Sequence, residues 1–385
     1  MTLRTAHEYR EGLRDGRRVI YRGRPVADVT EFEEFDGAIA HSAHGYSIAD
    51  TDPGLAVAFD DSGNPYSAFY RVPRSPQDLV ERGKLIETVC RYGVGTIVLK
   101  EVGSDALFGL LRATAGEGRE NAQRYWQHVI DNDVALAVAQ SDVKGDRAKG
   151  PSDQADPDLY LHVVAEDEES ITVRGAKVHT SFSANADELI VIPTRALSPG
   201  DEAYAVAFAI PVDTPGVSLY VSPYLDAPRN SFEHPISSQH KMLESLTVFD
   251  DVRVPKSRVF LNGEVERAGQ IALAFVDYHR FTAINYKLPL LDALIGAASL
   301  VAEANGISRA AHVRAKMTEL ITYTETIRGF AQLAAVRAYE GDGGVWLPDP
   351  LATILAKYHF GHGIPGARPD GDRSGGGARR DRARR

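Results

Sequence analysis

The chain has 385 residues, 43% hydrophobic and 25% charged, with a net charge of -10. That is a globular composition for two or three domains, and its acidic balance excludes nucleic acid as the main partner. No apolar run approaches the ~20 residues that span a bilayer, the polar start Met1 to Glu8 lacks a signal-peptide core, and Cys90 is the single cysteine, so a cytoplasmic protein without membrane segments or disulfides is expected.

The first ~145 residues read as a helical domain. Ser75-Pro76-Gln77-Asp78 is a helix start, with a hydroxyl cap, proline at the first helical position and an acid at the third. Leu79, Ile86, Val89 and Cys90 follow at helical spacing, which makes Cys90 a packing residue rather than a reactive one. Ser104 is expected to cap a second helix through Leu111, and Asn121 to Ile130 forms a third with Tyr125, Trp126 and Val129 on its apolar side.

From 146 to 262 the period changes to two. Leu159 to Val164 and Ser170 to Gly175 read as strands around the turn Glu166-Asp167-Glu168-Glu169, and more follow at 188–192, 205–210, 217–221 and 246–249. Short strands without alternating helices predict an antiparallel β-barrel or sandwich. From 263 to 360 the 3.6-residue period returns over 271–278, 288–305, 308–340 and 350–358, the pattern of an antiparallel helical bundle. The last 25 residues hold seven Gly and seven Arg, and no large apolar residue except Ile364; a disordered tail is expected at 361–385.

Generic cofactor and hydrolase motifs are absent: no G-x-G-x-x-G after a strand, no Walker loop, no H-E-x-x-H and no G-x-S-x-G. His359 and His362 have no third ligand nearby, so no metal site is assigned. Three segments carry chemistry. The loop Ser141-Asp142-Val143-Lys144-Gly145-Asp146-Arg147 is suited to phosphates or a ring edge, or to serving as a solvated linker. The strand end Arg174 to Asp187 holds Thr180, Ser181 and Ser183 among small polar positions suited to a flat heterocycle, or to an ordinary polar loop. Asp277-Tyr278-His279-Arg280 lies two helical turns before Lys287, so His279 and Lys287 share a face if that helix is continuous.

These segments, in this order, resemble the flavin family that unites 4-hydroxyphenylacetate 3-hydroxylases with 4-hydroxybutyryl-CoA dehydratases. The best stretches are Asn132-Asp133 through Arg147, Gln154 to Leu161, Val173 to Lys177, Phe249-Asp250-Asp251-Val252-Arg253-Val254-Pro255 and Tyr278-His279-Arg280. The resemblance covers Thr5 to Phe360 and implies an α+β, acyl-CoA dehydrogenase-like fold: helical domain, β domain, four-helix bundle. It also implies FAD between the β domain and the bundle, and a homotetramer or homodimer. By resemblance Ser141 and Ser181 touch the flavin ring, Thr180 lies beside it, and Lys144 and Arg147 line the loop. His279 matches a dehydratase cluster ligand, and Lys287 and Glu244 match dehydratase active-site positions.

The chain departs from both branches. The dehydratases hold an iron–sulfur cluster with three cysteines and a histidine, and here the cysteine positions fall near Ile97, Glu101 and Tyr286, so no cluster is expected. The hydroxylases hold their phenol with an Arg and a Tyr four apart and a His in the next helix, and the matching stretch reads Lys100 to Asp105, with Val138 at or near the histidine position. A clusterless flavin pocket with His279, Lys287 and Glu244 remains. The expected function is a monooxygenase that takes FADH2 from a separate flavin reductase and oxygenates an aromatic or phenolic small molecule, which suits the absence of a nicotinamide fingerprint. The alternative is a clusterless flavin enzyme acting on a CoA thioester as dehydratase, isomerase or dehydrogenase. A third is a non-catalytic subunit, because the family normally runs about a hundred residues further and Asp372 to Gly377 reads as its Asp-Leu-Ala-Gly-Gly segment after a one-base shift; a frameshift near 361 is the expectation there.

Overall fold

The computed structural model describes residues 3–223 and 230–363. The tail expected at 361–385 therefore lies outside the described residues from 364 onward.

The N-terminal part holds α1 (Ala6–Gly12), α2 (Glu33–Thr51), α3 (Pro53–Ala56), α4 (Pro76–Cys90), α5 (Leu99–Ala113) and α6 (Gly116–Asn132). Helix α4 starts where its signals place it: Ser75 accepts from Asp78 N–H at 3.3 Å and Pro76 opens the first turn. Helix α5 corrects an expectation. It begins at Leu99, five residues before Ser104, because the carboxylate of Glu101 accepts the Val98 N–H at 3.2 Å and does the capping. Ser104 is thus interior and buried, and nearly every residue of α5 is buried, which makes it the central helix of the fold.

Twelve strands form the β region and its satellites: β1 (Val19–Tyr21), β2 (Arg24–Val26), β3 (Val57–Phe59), β4 (Pro65–Ser67), β5 (Leu136–Ala139), β6 (His162–Glu166), β7 (Ser170–Ser181), β8 (Glu188–Val191), β9 (Val206–Pro211), β10 (Val217–Val221), β11 (Glu244–Pro255) and β12 (Val259–Asn262). They make a six-stranded sheet, β2-β1-β10-β11-β7-β6, and a four-stranded sheet, β12-β9-β8-β5, while β3 and β4 pair alone. The middle of both sheets is antiparallel, as the alternating Val/Ile pattern requires. Two pairings are parallel: β1 with β10 and β5 with β8. Both bring segments from before residue 145 into the sheets. A division drawn there by periodicity separates strands that hydrogen-bond to each other.

The C-terminal part holds α7 (Val265–Tyr286), α8 (Leu288–Ala304), α9 (Ala311–Val336), a short ribbon of β13 (Tyr339–Glu340) with β14 (Trp346–Leu347), and α10 (Pro350–His362). Helix α7 packs along α5, where Gly109 admits the backbone of Phe275; a Cβ there would come within 2.8 Å of its nitrogen. The main core runs unbroken from Tyr9 through the sheets to Tyr278, and a second core lies under α8, α9 and α10.

Candidate functional site at the junction of the sheets and helix α7

The loop after β5 and the end of β7 meet through a buried ion pair. Lys177 Nζ lies 2.8 Å from Asp142 Oδ1, both side chains almost fully enclosed, and also donates to the carbonyls of Gln140 at 3.0 Å and Ile192 at 3.1 Å. Burial pulls the Lys177 amine below the usual range and Asp142 opposes that pull. The pair brings Ser141 to β7: the Val178 N–H donates to Ser141 O at 2.7 Å. Farther along, Lys144 and Gly145 are both left-handed, with φ of 80° and 46°. Gln154 clips this bend by accepting from Asp146 N–H at 3.0 Å and donating to Asp146 O at 2.9 Å. Arg147 is exposed and Lys144 half-buried, and neither side chain has an ion-pair partner among the described residues.

The end of β7 is bulged against β11. Lys177 faces Thr247 and Thr180 faces Ser245, so three steps on β7 match two on β11, and His179 takes a left-handed φ of 56° at the extra position. The bulge re-aims the two hydroxyls. Ser181 pairs with Glu244, is half-buried, and donates from Oγ to Glu244 Oε1 at 2.7 Å. Thr180 is wholly enclosed on the face it shares with Ser245, and its Oγ1 has no hydrogen-bond partner among the described residues. Thr180 and Ser181 therefore point to opposite sides of the strand pair. Glu244 Oε2 is also buried without a partner among those residues.

Helix α7 meets the segment after β5 at Gln140. Gln140 Nε2 reaches the Ala272 carbonyl at 3.5 Å, and His279 lies seven residues on, roughly 10 Å along the helix. Its ring stacks on Phe275 with centroids 5.1 Å apart. Its Nδ1 sits 3.1 Å from Asp105 Oδ2 on α5. Lys287 does not join His279. Helix α7 ends at Tyr286, and the Lys287 ammonium lies over the rings of Phe360 at 4.8 Å and Tyr286 at 5.1 Å. Burial, with Lys357 nearby, holds it below the usual ammonium range.

Sequence reasoning missed the groups behind His279. Arg82 donates to Asp105 Oδ1 at 2.6 Å, to Ser104 Oγ at 2.9 Å and to the Phe69 carbonyl at 3.1 Å. The available signal was an arginine on the apolar stripe that starts at Leu79. Beside it Cys90 donates to Glu101 Oε1 at 3.2 Å, and burial pushes Glu101 up to about 8. Tyr286 is pushed up to about 12 by burial and then by the nearby Glu101 and Cys90. Lys100 is spent elsewhere, on Asp133 at 2.6 Å and over the Tyr46 ring at 3.6 Å. Among the described residues no cluster of three His, Cys, Asp or Glu side chains could hold a metal ion. Two cavities of about 420 and 410 Å³ lie at the start of α6 and between α4, α7 and α9; neither is lined by Ser141, Ser181, Glu244, His279 or Lys287.

The geometry fits a flavin edge. Among the described residues, one buried carboxylate oxygen of Glu244 is left to accept from an N–H donor, and the Ser181 hydroxyl, whose proton goes to the same carboxylate, can likewise accept. Family models match at residues 5–261, the N-terminal part of 4-hydroxyphenylacetate 3-hydroxylase, and at 268–378, its C-terminal part. The chain belongs to the 4-hydroxyphenylacetate 3-hydroxylase family. The C-terminal match runs past Phe360, where the resemblance read from the residues stops.

Within this family the chain is 31% identical over 354 residues to the 4-hydroxyphenylacetate 3-monooxygenase oxygenase component of Thermus thermophilus, covering 90% of this chain and 73% of that one. It is equally 31% identical, over 374 residues, to the 4-hydroxybutyryl-CoA dehydratase/vinylacetyl-CoA-Delta-isomerase of Clostridium aminobutyricum, covering 93% and 76%. Among solved structures, the oxygenase component of 4-hydroxyphenylacetate 3-monooxygenase complexed with FAD superimposes with a TM-score of 0.84 at 30% identity, over 92% of this chain and 76% of that one. An oxygen-tolerant 4-hydroxybutyryl-CoA dehydratase from N. maritimus gives 0.86 at 28% identity, over 93% and 74%. The fold is acyl-CoA dehydrogenase-like.

Proposed function

We propose that this chain is the oxygenase component of a two-component flavin monooxygenase: it receives reduced FAD from a separate reductase and hydroxylates a phenolic small molecule. The observation that carries the reading is the Ser181–Glu244 hydrogen bond at the end of β7, the strand to which the Ser141 carbonyl is tied through the Val178 N–H, in a family whose solved oxygenase holds FAD. When bound, reduced flavin supplies the two electrons that split O2, one oxygen going to the ring carbon and the other leaving as water.

The chain's own residues bind and move protons. Ser181 and Glu244 hold the flavin edge, and Ser141 supports it from the loop. Lys144 and Arg147, without ion-pair partners among the described residues, offer two cations for the anionic part of the cofactor. His279 accepts the phenol proton, which raises electron density on the ring, and returns a proton after oxygen transfer. Glu244 serves at the cofactor edge, and Lys287, on Phe360 and Tyr286, stands apart from the proton path.

We also place the chain in the cytoplasm, as a homodimer or homotetramer; apolar Leu300 and Val301 on α8 and Leu351 on α10 are exposed in the single chain. No described helix is long and apolar enough to cross a membrane.

A second reading, thioester chemistry, is supported by the likeness to the N. maritimus dehydratase. Equilibrium binding separates the two: retention of phenols with reduced FAD supports hydroxylation, whereas retention of 4-hydroxybutyryl-CoA with no affinity for phenols sinks it.

A further inference from the structure

Helices α4, α5 and α7 enclose a charged network behind His279. Asp105 is fully buried, yet both of its carboxylate oxygens are engaged. Oδ1 accepts from Arg82 at 2.6 Å and from the Thr282 hydroxyl at 2.7 Å. Oδ2 faces His279 Nδ1 at 3.1 Å. Arg82 cannot shift easily, since it also donates to Ser104 Oγ and to the carbonyls of Phe69 and Glu101. The carboxylate is therefore held from behind by two donors, with one oxygen left for the imidazole.

His279 itself is only partly buried, its side chain 36% exposed. One ring face lies on Phe275, stacked within 16° of parallel. The ring is thus fixed by a face and by one nitrogen. An ionised carboxylate accepts hydrogen bonds and cannot donate them, so the nitrogen that faces it must carry the proton. In a neutral imidazole the other nitrogen then bears the lone pair.

We infer that Asp105 is a positioning residue for the reaction: with Arg82 and Thr282 behind it, it holds His279 as the Nδ1–H tautomer and leaves Nε2 as the nitrogen that exchanges protons with substrate. This rests on the acid–base role of His279 given under Proposed function. Asp105 touches neither substrate nor flavin and acts only through the imidazole. The cost of such an arrangement is a buried carboxylate, which its guanidinium and hydroxyl partners compensate. Asn in its place reverses the polarity: its amide can donate to Nδ1, which moves the ring proton to Nε2 and removes the base.

The test is the nitrogen-15 NMR spectrum of imidazole-labelled protein at alkaline pH, with the His279 signals identified by their absence in His279→Gln. The expected result is a protonated Nδ1 and an unprotonated Nε2 in the native protein, and a shift toward Nε2–H in Asp105→Asn. Turnover with reduced FAD and a phenol should fall at least ~10-fold in Asp105→Asn, a fraction of what acid–base groups contribute. A native Nε2–H tautomer overturns the inference even if Asp105→Asn does not fold. An unchanged tautomer in folded Asp105→Asn, with His279→Gln inactive, removes Asp105 alone. Full turnover in His279→Gln removes the acid–base reading and the role of Asp105 with it.

Discussion

Ser181 Oγ donates to Glu244 Oε1 at 2.7 Å across the β7–β11 pairing, while the second oxygen of the same carboxylate is buried with no donor among the described residues. One half of Glu244 is thus satisfied by the protein and the other half is set aside. A buried acceptor left open in this way can be completed by a water, an ion or a ligand donor.

The first prediction concerns that pair. Ser181→Ala and Glu244→Gln should each weaken the binding of reduced FAD by about 2- to 10-fold, the worth of one net hydrogen bond. The double variant should lose less than the product of the two, because both changes break the same contact. Anaerobic fluorescence titration reads these values, and unchanged affinity in all three variants would remove the pair from the flavin site.

The Asp142–Lys177 pair should govern stability instead. Removing one partner leaves a buried charge, at a cost of about 3–5 kcal/mol. Lys177→Met and Asp142→Leu should therefore each lower the denaturation midpoint sharply, and the double variant should recover part of the loss. Urea melts measure it. Two strictly additive single losses would mean that the charges do not act on each other.

Glu101 sets a pH dependence whose sign is fixed by its burial. Its ordinary value of 4.5 is raised to about 8 in the folded chain. Between those values the unfolded chain has released the proton and the folded chain still holds it, so stability falls as pH rises, by up to about 1.4 kcal/mol per unit. Glu101→Gln should flatten the curve between pH 4.5 and 8. A curve of unchanged slope in that variant contradicts a protonated Glu101.

Lys287 and His279 should separate on mutation. Lys287 lies on Phe360 and Tyr286, whereas His279 lies on Asp105. His279→Gln should cut turnover about 100-fold or more, in the range of acid–base catalysis. Lys287→Ala should cut it less than about 10-fold and act mainly on stability, since a cation over a ring contributes roughly 0.5–2 kcal/mol. Steady-state rates at saturating reduced flavin decide the order.

Local signals carried much of the architecture. Ser75-Pro76 started α4, the 166–169 turn joined β6 to β7, and the polar loop at 141–147 and the strand end at 174–187 stood out by composition. What stayed hidden was non-local. The strand at 136–139 is too short to announce itself and exists because β8 pairs with it. Arg82 lies on the apolar stripe of α4, but only the packing of α4, α5 and α7 shows that it meets Asp105 and that Asp105 meets His279. The bulge that turns Thr180 away from Ser181 depends on the register with β11, which a single strand does not carry.

The central claim is that this chain transfers oxygen from O2 to a phenol using reduced FAD. Its most direct test is to mix the protein with chemically reduced FAD, 18O2 and a panel of para-substituted phenols, and to weigh the products by mass spectrometry. The account predicts a catechol carrying one 18O atom, with its yield lost in His279→Gln. Unaltered phenols, with the flavin reoxidised as fast as free FADH2 and the oxygen recovered as hydrogen peroxide, would contradict it.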